Sequence, residues 1–186
     1  MVSTETLPNN YGWIAVPRDI AKFTSHASTQ NTKPAQASSI QIPKTDLAAA
    51  VFESATKLLP QPTINHSLRV FFYGSIIIQQ HFPELLASWP DFPETFYVTC
   101  ILHDIGTAPT LLTTTKMSFE FRGGIYVWDL LKELKVEEDL VEGVTEAIIR
   151  HQDIGTTGEI SALGAIVQVA TLFGALYRCF PPSVCH

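Results

Sequence analysis

The chain has no CxxC pair, no excess of positive charge and no alternating apolar–polar stretch, and each absence argues against a class of protein. Its three cysteines are odd in number and none stands in CxxC spacing. Cys100 lies in an apolar run and reads as a core thiol, which points to a reducing compartment. Lys and Arg total 12 against 18 Asp and Glu, a net charge of −6. Nucleic acids and anionic membrane surfaces need clustered cations, so neither is expected as a partner. No apolar run approaches the ~18 residues of a membrane span, and the N-terminus lacks a charged-then-apolar signal pattern. A cytoplasmic protein is therefore expected, with the nucleus left open. The missing period of two leaves an all-α class, five or six helices packed on one another. What is present suits that class: 186 residues, 46% hydrophobic and 16% charged, enough for one buried core.

Taken in order, Tyr11-Gly12-Trp13 through Arg18-Asp19 is apolar enough to dock on a core, whereas Thr24 to Gln41 reads as a flexible connector. Thr45 or Asp46 caps a helix that Pro60 and Pro62 end. Thr63 caps the next, which runs to about Gln80 with His66, Val70, Tyr73 and Ile77 on one inward stripe. Pro93 opens a helix through Cys100 to His103-Asp104, stopped by Gly106, Thr107 and Pro109. Thr110 to Lys116 is a polar loop long enough to cover a pocket. Ser118 to Leu134, Glu137 to His151, and Glu159 to about Tyr177 complete the helices, with Asp153 to Gly158 as a turn. The expected division is 1–44 as a partly docked, partly flexible segment, 45–178 as the helical domain and 179–186 as an irregular tail.

Three apolar segments are interrupted by groups that carry chemistry: Asn65-His66-Ser67, Leu102-His103-Asp104-Ile105-Gly106 and Arg150-His151-Gln152-Asp153. An ionisable group inside apolar surroundings costs several kcal/mol unless it is paired or binds a metal. Asp104 also sits at a helix C-terminus, where negative charge is disfavoured by ~0.3–1 kcal/mol. A cation removes both penalties. Two imidazoles and one carboxylate, from His66, His103 and Asp104, suit Zn²⁺ or Fe²⁺ and leave positions open for water. Each histidine alone has a blander explanation, as a hydrogen-bonded core residue or, for His151, a favourable charge at a helix C-terminus.

These blocks, together with Met117-Ser118-Phe119-Glu120-Phe121 and Glu146-Ala147-Ile148-Ile149, resemble the HD-domain metalloproteins and, more narrowly, their cyanamide hydratase branch. Tyr11-Gly12-Trp13 and Val16-Pro17-Arg18-Asp19 are similar to the N-terminal segment of that branch. The resemblance runs to about Phe173. It implies an HD-type helical bundle and a Zn²⁺ site, iron being the alternative, with His66, His103 and Asp104 as ligands. It further implies hydration of the nitrile carbon of cyanamide to give urea, a hydro-lyase reaction. In that scheme His151 or Asp153 handles protons on the nitrogen, and Asn65 and Thr171 orient the substrate. The expected partner is thus a small molecule, cyanamide or a related nitrile, while self-association into a homo-oligomer is left open.

The pattern departs from the family after Gln168-Val169-Ala170-Thr171-Leu172-Phe173. Where the family has a closing aspartate ligand, this chain has Gly174, and Ala175 to His186 does not resemble the family's further helices. The expectation is a bundle truncated at its C-terminus, with weaker metal binding and impaired activity. Two other readings compete with the hydratase: an HD-type phosphohydrolase, for which only Arg69 and Arg150 flank the motifs, and a vestigial protein that holds no metal.

Overall fold

The computed structural model describes residues 10–29 and 36–176, the side chains of 10 and 174–176 apart. Among the described residues the architecture is nine α-helices and one two-stranded sheet. The helices are α1 (Ile20–Ser25), α2 (Asp46–Leu58), α3 (Gln61–His81), α4 (Pro83–Ala87), α5 (Phe92–Leu102), α6 (Pro109–Leu112), α7 (Phe119–Glu133), α8 (Glu138–Arg150) and α9 (Ala162–Leu176).

The core is organised around α5. From Thr95 to Leu102 every residue is buried, so no face of this stretch is exposed, and Thr95 and Thr99 turn their hydroxyls onto backbone carbonyls one turn earlier. A helix apolar all round has to be enclosed, and α2, α3, α8 and α9 all pack on it. Phe71, Phe92, Phe96 and Tyr97 fill the space between α3 and α5, in a run of ring contacts 5.0 to 6.1 Å between centroids. On the far side, α7 lies along α8. That approach depends on Gly124, where a Cβ would stand 2.5 Å from Ile149.

Four boundaries differ from the sequence expectation, each for a local reason. Helix α3 starts at Gln61 rather than at Thr63, because Pro62 fits a first turn whose N–H groups have no intrahelical acceptor. His66 is therefore in the second turn. The buried residues of α3 are Ile64, Ser67, Val70, Phe71, Gly74, Ser75 and Ile78, so Val70 of the expected stripe faces the core while His66, Tyr73 and Ile77 stand at its edge, only partly buried. Helix α5 stops at Leu102, with His103 as its cap and Asp104 leading a 3₁₀ turn over Ile105–Thr107. The polar stretch after it is not all loop: Thr110 belongs to α6, and Leu111 is buried.

The fourth difference corrects the last helix. Glu159–Ser161 is a strand, β2, paired antiparallel with β1 (Ala15–Pro17) in the register Ala15↔Ser161 and Pro17↔Glu159. Ser161 Oγ accepts from Gly164 N at 3.2 Å and so caps α9, which begins one residue later. Strands of three residues are too short to show a period of two. The same pairing fastens residues 10–19 to the helical body, reinforced by Trp13 Nε1 donating to Asp139 O at 3.0 Å and by Tyr11 OH donating to Glu137 at 2.5 Å. Gly174 falls within α9, while Tyr177 and the expected tail 179–186 lie outside the described residues.

Candidate metal centre

Three helix ends deliver the site. His66 comes from the second turn of α3, His103 and Asp104 from the end of α5, and His151 from the cap of α8. The turn holding Asp104 is fixed by Thr107, which donates to Asp104 O through both its backbone N–H (2.9 Å) and its hydroxyl (2.7 Å). Gly106 then passes so close to α7 that a Cβ there would lie 1.9 Å from Phe119 O. Only glycine fits this approach, and it seats the His103–Asp104 pair against α7.

The side chains converge on the Asp104 carboxylate. His66 Nε2 and His103 Nε2 lie 3.6 and 3.3 Å from Oδ2, and His151 Nε2 lies 3.5 Å from Oδ1. His66 Nε2 and His103 Nε2 are themselves 3.2 Å apart. One donor atom from each of His66, His103 and Asp104 falls within 4.8 Å of the others. His103 and His151 are closed to solvent at the side chain, whereas His66 and Asp104 are 19% and 16% exposed. The centre is thus approached from the His66 side.

The backbone sets the tautomers. His103 Nδ1 is 2.7 Å from Cys100 O and His151 Nδ1 is 2.6 Å from Ile148 O. A carbonyl only accepts, so in each ring Nδ1 carries the hydrogen, and the neutral ring presents a lone pair at Nε2. Two lone pairs are then aimed at an anionic carboxylate. This opposition is unfavourable unless a proton or a metal cation lies between them.

The titration behaviour shows the same tension. Burial, aided by the neighbouring His103, pushes His66 down to about 4. Burial also acts to lower His103, but the Asp104 charge and hydrogen bond outweigh it and raise the imidazole above its ordinary value. Burial acts to raise Asp104, and the adjacent His103 and His151 override it, holding the carboxyl well below the usual range. His151 Nε2 is buried with no hydrogen-bond partner, an omission that costs ~1–3 kcal/mol. Two nitrogen donors, a carboxylate and an orphaned imidazole nitrogen fit a divalent ion, by donor type as well as by spacing.

The other candidates from the sequence stand apart from this cluster to different degrees. Asn65 is exposed, its Oδ1 accepting from Gln61 Nε2 at 2.9 Å. Thr171, partly buried on α9, donates its hydroxyl to Val167 O at 2.8 Å. Asp153 is not directed at the imidazoles: its carboxylate is 61% exposed and paired with Arg18 Nη2 at 2.6 Å. Of the two arginines beside the motifs, Arg150 is engaged by Glu146 at 2.7 Å and by Glu159 O, whereas the Nε of Arg69 is buried without a partner. Sequence reasoning missed Gln168, which is 1% exposed and donates to Arg150 O and Asp153 O. The signal was present, since Gln168 and Thr171 are the polar side chains of an otherwise apolar helix.

The model of the HD domain matches residues 63–172, a range that includes His66, His103, Asp104, His151 and Gln168. The chain belongs to the HD-domain family. The chain is also 42% identical over 164 residues to cyanamide hydratases DDI2 and DDI3 of Saccharomyces cerevisiae, an alignment covering 88% of the chain and 69% of each relative. Metal binding is a property of the family, and His66, His103 and Asp104 form a group that could hold an ion. Among the described residues no helix is long and apolar enough to cross a membrane.

Proposed function

We propose that the chain adds water across the nitrile of cyanamide to give urea, with a divalent ion held by His66, His103 and Asp104. The observation that carries this is the convergence of unneutralised lone pairs on Asp104 in a chain 42% identical to two cyanamide hydratases. Zn²⁺ is the leading ion and Fe²⁺ the alternative, since two imidazoles and a carboxylate accommodate both. When bound, such an ion supplies Lewis-acid chemistry: it acidifies water and polarises the nitrile.

The chain's own residues do the rest. Hydration forms one C–O bond and leaves two new hydrogens on what was the nitrile nitrogen, so a group must move protons between oxygen and nitrogen. His151 is that group in this reading, because its Nε2 is unbonded and faces the carboxylate. Asp153 passes from proton carrier to anchor, its charge being spent on Arg18. Thr171, whose hydroxyl hydrogen is committed to Val167 O, offers lone pairs to the amino group of the substrate. Asn65 offers its amide hydrogens at the exposed edge. A small, neutral, polar substrate suits a centre entered beside His66. A cytoplasmic setting fits the unpaired, buried Cys100.

One observation favours phosphoester hydrolysis instead: the unpartnered Nε of Arg69, three residues after His66, is a ready anion contact. The two are separated by incubating Zn²⁺-loaded protein with cyanamide and with a panel of nucleotides. Urea release without phosphate release is expected. Phosphate release with no urea overturns the hydratase reading, and a purified chain that takes up no metal favours the vestigial one.

A further inference from the structure

The turn that presents His151 is gripped from two sides. From within the core, Gln168 donates its Nε2 to Arg150 O at 2.8 Å and to Asp153 O at 3.3 Å, carbonyls on either side of His151. From the surface, Arg18 donates to the same Asp153 O through Nε (3.3 Å) and Nη2 (2.9 Å), and pairs with the Asp153 carboxylate. The final carbonyls of a helix have no intrahelical donors and ordinarily turn to water. Here two side chains from distant parts of the sequence take that place. The His151 ring is tied to the same backbone through Nδ1 and Ile148 O.

Gln168 is costly for a core residue. It is 1% exposed, it lies in an apolar helix, and its Oε1 is buried with no partner. Methionine would fill similar space without that penalty of ~1–3 kcal/mol. What methionine lacks is the pair of donors that hold the turn.

We infer that Gln168 is a positioning residue, holding His151 Nε2 against the Oδ1 side of Asp104, with the Arg18–Asp153 pair as its outer counterpart. The inference rests on the reading of His151 as the proton-handling group. Asp104 Oδ1 lies 3.5 Å from His151 Nε2. A displacement of about 1 Å at such a group can cost ~10²-fold in rate. The chain thereby uses residues 18 and 168, neither beside the metal ligands in sequence, to set one imidazole.

The test compares Zn²⁺-loaded wild type with Gln168→Met and Arg18→Met. The readouts are metal per chain, melting temperature, the kcat and KM split on cyanamide, and the ¹⁵N signals of the histidine rings. For Gln168→Met we expect unchanged metal content, KM within about twofold and kcat lower by about tenfold or more. The His151 signal should shift while those of His66 and His103 stay. For Arg18→Met we expect the same pattern at smaller amplitude, with kcat reduced on the order of threefold. A kcat loss matched by a loss of folded or metal-loaded protein, or an unmoved His151 signal, overturns the inference. If Gln168→Met does not fold, the same criteria applied to Arg18→Met decide it. If wild type releases no urea, the functional reading fails by itself, and the ring signals still report whether Gln168 sets His151.

Discussion

At the end of α8 two neighbouring basic side chains meet opposite surroundings. Arg150 turns outward and is satisfied, with Glu146 Oε1 at 2.7 Å one turn earlier and Glu159 O at 3.3 Å. His151 turns inward, and its Nε2 is bonded to nothing. The outer cluster, completed by Arg18 and Asp153, has every charge paired with an opposite one. The inner cluster sets imidazole lone pairs against one carboxylate, a donor set that a cation would reconcile. Polar groups that are finished by their neighbours hold a structure together. Ionisable groups gathered at a cost, as His66, His103, Asp104 and His151 are, point to a functional site.

The sharpest way to break that contrast is to remove an inner group. His103→Ala or Asp104→Asn should lower metal affinity by ~100-fold or more and abolish urea formation with it. In metal-free protein Asp104→Asn, which keeps the size of the side chain, should leave the chain folded with a modest loss of stability from the pairing with His103 and His151. Equilibrium dialysis with Zn²⁺ and urea-unfolding curves without it check the two halves. A metal-free Asp104→Asn protein that is strongly destabilised would show that the cluster is structural.

Acid sharpens the comparison further. His66, held down to about 4, stays neutral above pH 5, and Asp104, held low, stays ionised. His103 is raised, so below its folded value it must give up a proton before it can ligate a metal. Metal affinity should therefore fall by about tenfold for each pH unit in that range, one proton released per ion. A hundredfold fall per unit would mean that both ligand imidazoles titrate together, contrary to the different environments assigned to them.

Much of this is legible in the sequence because it rests on one rule: a polar group in an apolar run must have a reason. His66, His103, Asp104 and His151 all break apolar runs, and they converge on one carboxylate. The enclosure of α5 comes in the same way from its largely apolar composition. The parts that are not legible depend on partners far away in the chain. Asp153 reads as a second proton carrier in sequence, and only the fold pairs it with Arg18, 135 residues earlier. Gln168 obeys the interruption rule but does not ionise, so it carries no charge to flag it. The β1–β2 pair is hidden for a different reason: its strands are three residues long, and Ser161, not Glu159, is the cap that starts α9. The stripe on α3 shifts off His66 because Ser67 and Gly74, small residues, admit neighbouring helices as well as apolar ones do.

The outer cluster should respond far less. Arg150→Ala removes an i,i+4 pair and one contact to Glu159 O, both partly exposed, and should cost only ~0.3–1 kcal/mol. Metal content should not change. Denaturant midpoints with and without 1 M salt provide the measurement, because a surface pair weakens in salt and an inner one does not. If Arg150→Ala lost metal as His103→Ala does, the division into finished and unfinished faces would fail.

The smallest effect is expected where residues 10–19 meet α8. Tyr11 donates to Glu137, and that hydrogen bond, with a lesser contribution from burial, pushes its hydroxyl up to about 12. A folded value above the unfolded one of about 10 means that the contribution is fully present below pH 10 and is lost as the pH rises towards 12. Tyr11→Phe should therefore lower stability slightly at neutral pH, with the difference from wild type vanishing across that alkaline window. Urea midpoints taken on both proteins from pH 8 upwards would show two curves converging. Parallel curves would mean that Tyr11 acts by packing alone, and that the N-terminal segment is fastened by the β1–β2 pair and by Trp13 without help from the Tyr11 hydrogen bond.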